Sequence, residues 1–346
     1  MNTEENQWLK ALGREELYFR HQLSHQQIDD LLGDQGSRGF REAKAQMLAK
    51  LNVFLGVSRL LTEAGIAFIP LKGFLLSQRI YGDPSYRITG DFDLLIKPQK
   101  VSEAIRVLLK NGYQPEAFTL PQDKACQRRV LRMINECSLV HKETGINIEL
   151  HWRLFGSDLV STKTLDAIID DKLEETQLAG QAFRQFNPEI ELLYLVVHGG
   201  FHAYRRLKWL VDIKTYLERV RFDEARFLEL AKSLNAFRLI ALTNALLEHF
   251  FPGSRLLPSS QPPRKPPFRF CLQEIHTTTE EETKSIRIYL QRLHFALDAF
   301  PRWRYKLSVI KNNLLATDSI NSKYIPCIPL LYYLIGPFWK LFRGFR

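Results

Sequence analysis

The segment Gly90-Asp91-Phe92-Asp93-Leu94-Leu95-Ile96 decides how the chain is read. Phe92, Leu94 and Ile96 alternate with Asp91, Asp93 and Lys97, the pattern of a strand with one apolar and one polar face. Two aspartates at i and i+2 then project from the same face, side by side. Like charges so close cannot both stay ionised in a partly buried place unless a cation sits between them. Hard oxygen donors of this kind suit Mg²⁺, which takes one or two carboxylates together with substrate phosphates.

Upstream, Glu42 to Leu61 has helical apolar spacing and Gly65 stops it. Ile66 to Leu71 reads as a buried strand with Pro70 near its end, and Phe74 to Tyr81 as a helix. The strand, Gly73 and the helix together present a helix N-terminus whose free N–H groups bind phosphate, with Lys72 and Arg87 adding positive charge. A turn follows at Gly82-Asp83-Pro84-Ser85. Downstream, Val101 to Lys110 is an amphipathic helix, and Cys137 to His141 with Ile146 to Trp152 forms a hairpin around Lys142-Glu143-Thr144-Gly145. On its second arm Ile146, Ile148 and Leu150 face one way, and Asn147, Glu149 and His151 the other. Glu149 is therefore the third carboxylate that completes a site for two ions, about 3.5–4 Å apart in two-metal chemistry.

Beyond about residue 160 the strand signal ends. Residues 189–250 and 280–300 read as helical, and 252–268, with six prolines, as a loop. The expected fold is α+β: a helical region over 1–65, a mixed-sheet core over 66–155, and a mostly helical domain over 156–346. Net charge is +10, with 45% hydrophobic and 25% charged residues, a globular composition whose basic balance favours polyanionic partners. Cys126, Cys137, Cys271 and Cys327 form no C-x-x-C and read as reduced core thiols. The start, MNTEENQWLK, is acidic and lacks the apolar run of a secretory signal, and no transmembrane segment is expected, which places the protein in the cytoplasm.

Three motifs in order, Pro70-Leu71-Lys72-Gly73, Tyr81-Gly82-Asp83-Pro84 and Arg87-x-Thr89-Gly90-Asp91-Phe92-Asp93-Leu94-Leu95, resemble a bacterial, uncharacterised nucleotidyltransferase family. That family lies within the DNA polymerase beta-like nucleotidyltransferase superfamily. Ile148-Glu149-Leu150-His151-Trp152-Arg153 is similar to its ELHWR strand. The segment Leu195 to Asp212, with His198, Arg206, Leu207, Trp209 and Asp212, is similar to its helical motif. The resemblance implies a nucleotidyltransferase core in which Asp91 and Asp93 bind metal. Glu149 is the third carboxylate, as general base or metal ligand, and Gly73 holds the triphosphate at its turn with Lys72 beside it. It implies Mg²⁺ or Mn²⁺ as two ions, ATP or another NTP as substrate, and a nucleotide held in a cleft between core and helical domain. Where the wider superfamily has Gly-Ser or Gly-Gly, Phe74 follows Gly73, and the 17 residues 74–90 before the first aspartate match the toxin-like and uncharacterised branches.

Other residues keep alternatives open. Arg87 either pairs with Asp91 or Asp93 or binds phosphate, and His151 either touches nucleotide or hydrogen-bonds a carboxylate. His198 and His202, at i and i+4, share a helix face that packs on the core, contacts substrate together with Arg206 and Asp212, or binds metal; the Glu of an H-E-x-x-H zincin is missing. Residues 301–346 carry a net charge of +7 with interleaved aromatics. They suit RNA, an anionic membrane surface, or plain packing. The expected reaction is transfer of a nucleoside monophosphate from NTP to a hydroxyl or phosphate acceptor, with release of pyrophosphate. The acceptor is a small molecule or sugar, or in a toxin-like enzyme tRNA or protein. A non-catalytic nucleotide-binding protein on the same fold is the remaining alternative.

Overall fold

Five strands form one mixed sheet in the order β1-β2-β5-β4-β3 in the computed structural model. They are β1 (Phe68–Pro70), β2 (Phe92–Ile96), β3 (Tyr113–Pro115), β4 (Glu136–His141) and β5 (Asn147–His151). The structure describes residues 3–33, 39–116, 120–121, 123–155, 173–259, 261–277 and 286–315. Only the β2–β5 pair is parallel; the other three are antiparallel. β2 is buried along its whole length, as its Phe-Asp-Leu-Leu-Ile sequence requires apart from one carboxylate. Pro70 ends the edge strand β1, where its missing N–H is harmless. The next N–H, of Leu71, bonds to the Asp93 carbonyl at 3.0 Å.

The chain divides into two compact units, and the division runs through the motif region. Among the described residues, Val53–Leu71, 90–155 and 303–315 belong with the sheet; 3–52, Lys72–Thr89 and 173–302 belong to the other unit. In the sheet unit, helix α5 (Val101–Lys110) buries Val101, Ala104, Ile105 and Leu108 at i, i+3, i+4, i+7 spacing. The Phe54 ring of helix α3 (Phe40–Glu63) meets Phe92 edge-on at 5.4 Å. Gly145, at φ +66°, makes the turn between β4 and β5. Helix α6 (Lys124–Met133) precedes β4, and Cys137 of β4 is a buried free thiol that burial pushes up to about 12. Helix α13 (Trp303–Leu315) exposes Trp303 and buries Tyr305; the apolar, basic sequence after it lies outside the described residues, as does Cys327.

The other unit is mostly helical. It contains α4 (Gly73–Tyr81), α7 (Pro188–Phe201), α8 (Leu207–Arg219), α9 (Glu224–Leu234), α10 (Phe237–Phe250), α11 (Lys265–His276) and α12 (Ile286–Ala299). Helix α7 is apolar around most of its surface and buried accordingly. Its Gly199-Gly200 pair exists for packing: a Cβ on Gly199 would strike the Tyr204 ring, and one on Gly200 would stand 2.8 Å from Leu239.

Two expectations need correction. A hairpin, β6 (Leu173–Leu178) and β7 (Gln181–Phe186), follows residue 160, where no strand was expected. The proline-rich segment is not all loop, since α11 begins at Lys265 with proline in its first turn, where the missing N–H has no intrahelical partner in any case. The preceding loop is pinned: Asn244 both donates to the Leu257 carbonyl and accepts from its N–H, at 2.9 Å each.

Candidate active site

Asp93 stands at the second position of β2, and its register partner on β5 is Glu149. Register partners on adjacent parallel strands share a sheet face, so the two carboxylates come together there. His151, two residues beyond Glu149, lies on the same face. Its Nε2 is 3.0 Å from Asp93 Oδ1 and 3.5 Å from Glu149 Oε2, while its Nδ1 is 3.0 Å from Glu136 Oε2. Asp93 is buried and Glu149 keeps about a quarter of its side chain exposed. The end of β5 is fixed by Trp152, which is buried, donates through Nε1 to the Leu131 carbonyl at 2.8 Å, and bonds through its N–H to the Asn135 carbonyl at 3.0 Å. The tryptophan of the ELHWR pattern is thus an anchor that holds His151 in place.

Charge is concentrated here. Burial alone lowers the affinity of His151 for a proton, but hydrogen bonds to Asp93, Glu136 and Glu149 outweigh it and hold the imidazole well above its ordinary value. The His151 bond draws Glu149 down; burial and the charges of Asp93, Asp91 and Glu136 exceed it, and the carboxyl ends above its usual range. Carboxylates gathered so tightly call for a cation.

One donor atom each from Asp93, Glu149 and His151 lie within 4.8 Å of one another, which fits one divalent ion. Asn147, two residues before Glu149 on the same strand, has its Oδ1 buried without a hydrogen-bond partner among the described residues. The sequence pointed to Asp91, Asp93 and Glu149 as ligands; the structure gathers Asp93, Glu149 and His151. Asp91 sits in a bend one residue before β2, so the i, i+2 strand rule does not reach it, although its charge is felt at Glu149. Glu136 was not anticipated. Its signal was available in the hairpin register, which sets it opposite His151.

In the helical unit, Gly73 opens α4 at φ +67°, a conformation side chains resist. A Cβ there would meet Thr89 Cγ2 at 3.3 Å, and the Thr89 hydroxyl is buried without a partner among the described residues. Lys72 Nζ lies 3.2 Å from His198 Nε2. His198 packs edge-on against His202 at 4.7 Å, and His202 stacks on Trp209 at 5.0 Å. Arg87 pairs with Asp212 of α8. Its Nε and Nη2 reach the two oxygens of Asp212 at 3.1 and 2.8 Å, with both side chains buried. Arg206 sits at the N-terminus of α8, where its carbonyl accepts from the Trp209 N–H at 3.3 Å.

A mixed sheet presenting an acidic and imidazole cluster suited to a divalent ion, with a mostly helical region after it, is consistent with metal-dependent nucleotidyl transfer. The family model for uncharacterised nucleotidyltransferases matches residues 21–252, about two thirds of the chain, and the chain belongs to that family. No curated protein and no solved structure matches it. No helix among the described residues is long and apolar enough to cross a membrane.

Proposed function

We propose that the protein transfers a nucleoside monophosphate from an NTP to a hydroxyl or phosphate acceptor and releases pyrophosphate. The observation that carries this reading is the register pairing of Asp93 with Glu149 on adjacent strands of a nucleotidyltransferase-family sheet. Asp91, Asp93 and Glu149 hold two ions, Mg²⁺ or Mn²⁺. Bound there, such ions supply Lewis acidity at the α-phosphorus and acidify the acceptor. Glu149, the partly exposed carboxylate, takes the acceptor's proton as the acceptor oxygen bonds to the α-phosphorus. The bond from that phosphorus to the bridging oxygen breaks, and pyrophosphate leaves. Lys72 and the backbone at Gly73 bind phosphate, and His151 bonds the site's carboxylates. Arg87 works through its pairing with Asp212, shaping the segment that leads to Thr89. His198, His202 and Arg206 contact substrate.

The test is incubation of the purified chain with each α-³²P-labelled NTP and Mg²⁺ or Mn²⁺, with and without cell extract, beside Asp93→Asn. Label passing to a discrete product with wild type alone supports transfer, and the size of the product separates metabolite, RNA and protein acceptors. No transfer from any nucleotide, with no metal-dependent NTP binding, overturns it.

A further inference from the structure

His151 is bound on both sides of its ring. Nδ1 donates to the Glu136 carboxylate at 3.0 Å, and Nε2, turned to Asp93 and Glu149, donates to them until an ion takes the place of its proton. This is the arrangement by which proteins fix the tautomer and direction of a metal-ligating imidazole: an outer carboxylate on one nitrogen, the ion on the other. The spacing agrees. Three donors on one face of an octahedron with bonds near 2.1 Å stand about 3 Å apart. Nε2 is 3.0 Å from one carboxylate oxygen and 3.5 Å from the other. The Asp93, Glu149 and His151 donors all lie within 4.8 Å of one another, so the two carboxylates would close on an ion that Nε2 already flanks. Glu136 is held for this task by the sheet, because its register partner across the β4–β5 ladder is His151 itself.

We propose that His151 is a ligand of the ion through Nε2, that Glu136 is the positioning residue that aims it, and that the resulting nitrogen-and-oxygen face prefers Mn²⁺ or a later first-row ion to Mg²⁺. The inference rests on the metal reading of the Asp93 and Glu149 site. Its chemical basis is that Mg²⁺ is served best by oxygen, whereas imidazole favours borderline ions further along the first transition row. Asp93 and Glu149 make the site acidic enough for either kind of ion; His151 supplies the discrimination.

The test loads the full chain with Mn²⁺ and records electron spin-echo modulation, once with natural-abundance protein and once with ¹⁵N-histidine labelling. Wild type is expected to show modulation from a directly bound nitrogen that changes isotope with the label. His151→Gln is expected to lose it while still binding Mn²⁺, with about tenfold or greater loss of Mn²⁺ affinity and of preference over competing Mg²⁺. Glu136→Gln is expected to keep the nitrogen signal, with an affinity loss of about 10–100-fold. Bound Mn²⁺ that is displaced by Asp93→Asn yet shows no histidine nitrogen in wild type overturns this proposal and leaves the metal reading standing. If wild type binds no Mn²⁺ at millimolar concentration, both fall. The isotope comparison on wild type decides the matter even if a variant fails to fold.

Discussion

Two residues carry the heaviest chemical demands. Asp93 is buried beside Glu149 and His151, so its removal takes the buried carboxylate out of the cluster that would hold an ion. Asp93→Asn and Glu149→Gln are each expected to lower NTP turnover by about 10³-fold or more, with circular dichroism unchanged. Calorimetric titration with Mn²⁺ in the presence of a non-hydrolysable NTP should give two equivalents in wild type and one in Asp91→Asn. One equivalent in both would reject the two-ion arrangement. Gly73 is demanding in another way. At φ +67°, an alanine there costs about 1–2 kcal/mol, and its methyl group presses on Thr89. Gly73→Ala should therefore lower the urea midpoint and raise KM for NTP more than it lowers kcat. An unchanged KM would remove Gly73 from phosphate binding.

At the scale of elements, buried ion pairs join helices and loops that sequence leaves far apart. Arg87 meets Asp212 of α8, and Arg79 of α4 bonds Glu191 of α7 at 2.7 Å, Tyr216 of α8 at 3.3 Å and the Phe186 carbonyl of β7 at 2.9 Å. Removing one member strands the other's charge in a place with little water. Arg87→Met is expected to destabilise by about 3–5 kcal/mol, and adding Asp212→Leu to recover much of that, by urea denaturation. A double variant no more stable than the single one would contradict the pairing argument. These pairs were present in the sequence as separate motif residues, but nothing in periodicity says which carboxylate an arginine will find 125 positions away. The core strands β2 and β5 and the helices α3, α4 and α5 were legible because each has an unbroken apolar period. The β6–β7 hairpin was not: its strands are mainly polar on the exposed side. Its turn uses Ala179 at φ +50° with Gly180 at φ +79° in place of the Asn-Gly that announces such turns. Helix α6 was missed because Lys-Ala-Cys-Gln-Arg-Arg offers too few apolar residues to show a face. The candidate site divides in the same way. Its carboxylates stood out as a pattern, whereas Glu136 became visible only through cross-strand register.

For the molecule as a whole, stability in mild acid is tied to one histidine at the entrance to the helical motif. His21 is buried; its Nδ1 accepts from the Leu207 N–H at 3.3 Å, and its Nε2 has no hydrogen-bond partner among the described residues. Burial, followed by the nearby charges of Arg20, His276 and Arg206, lowers its pKa from 6.5 to about 3. A neutral ring in the folded state and a basic one in the unfolded chain means that unfolding takes up a proton between those two values. Stability is therefore full above pH 6.5 and falls as the pH drops from 6.5 toward 3. By pH 4.5 the loss from this residue is about 2–3 kcal/mol. Carboxylates titrate near the lower end of that window, so the contribution of His21 is isolated by comparison with His21→Gln. The amide oxygen of glutamine still accepts from Leu207, and the side chain does not titrate. The difference in unfolding free energy between pH 7 and pH 4.5, read from urea curves, should be smaller in the variant by that amount. Equal differences in the two proteins would show that protonation of His21 does not oppose folding, and that the acid sensitivity of the chain resides in its carboxylate pairs.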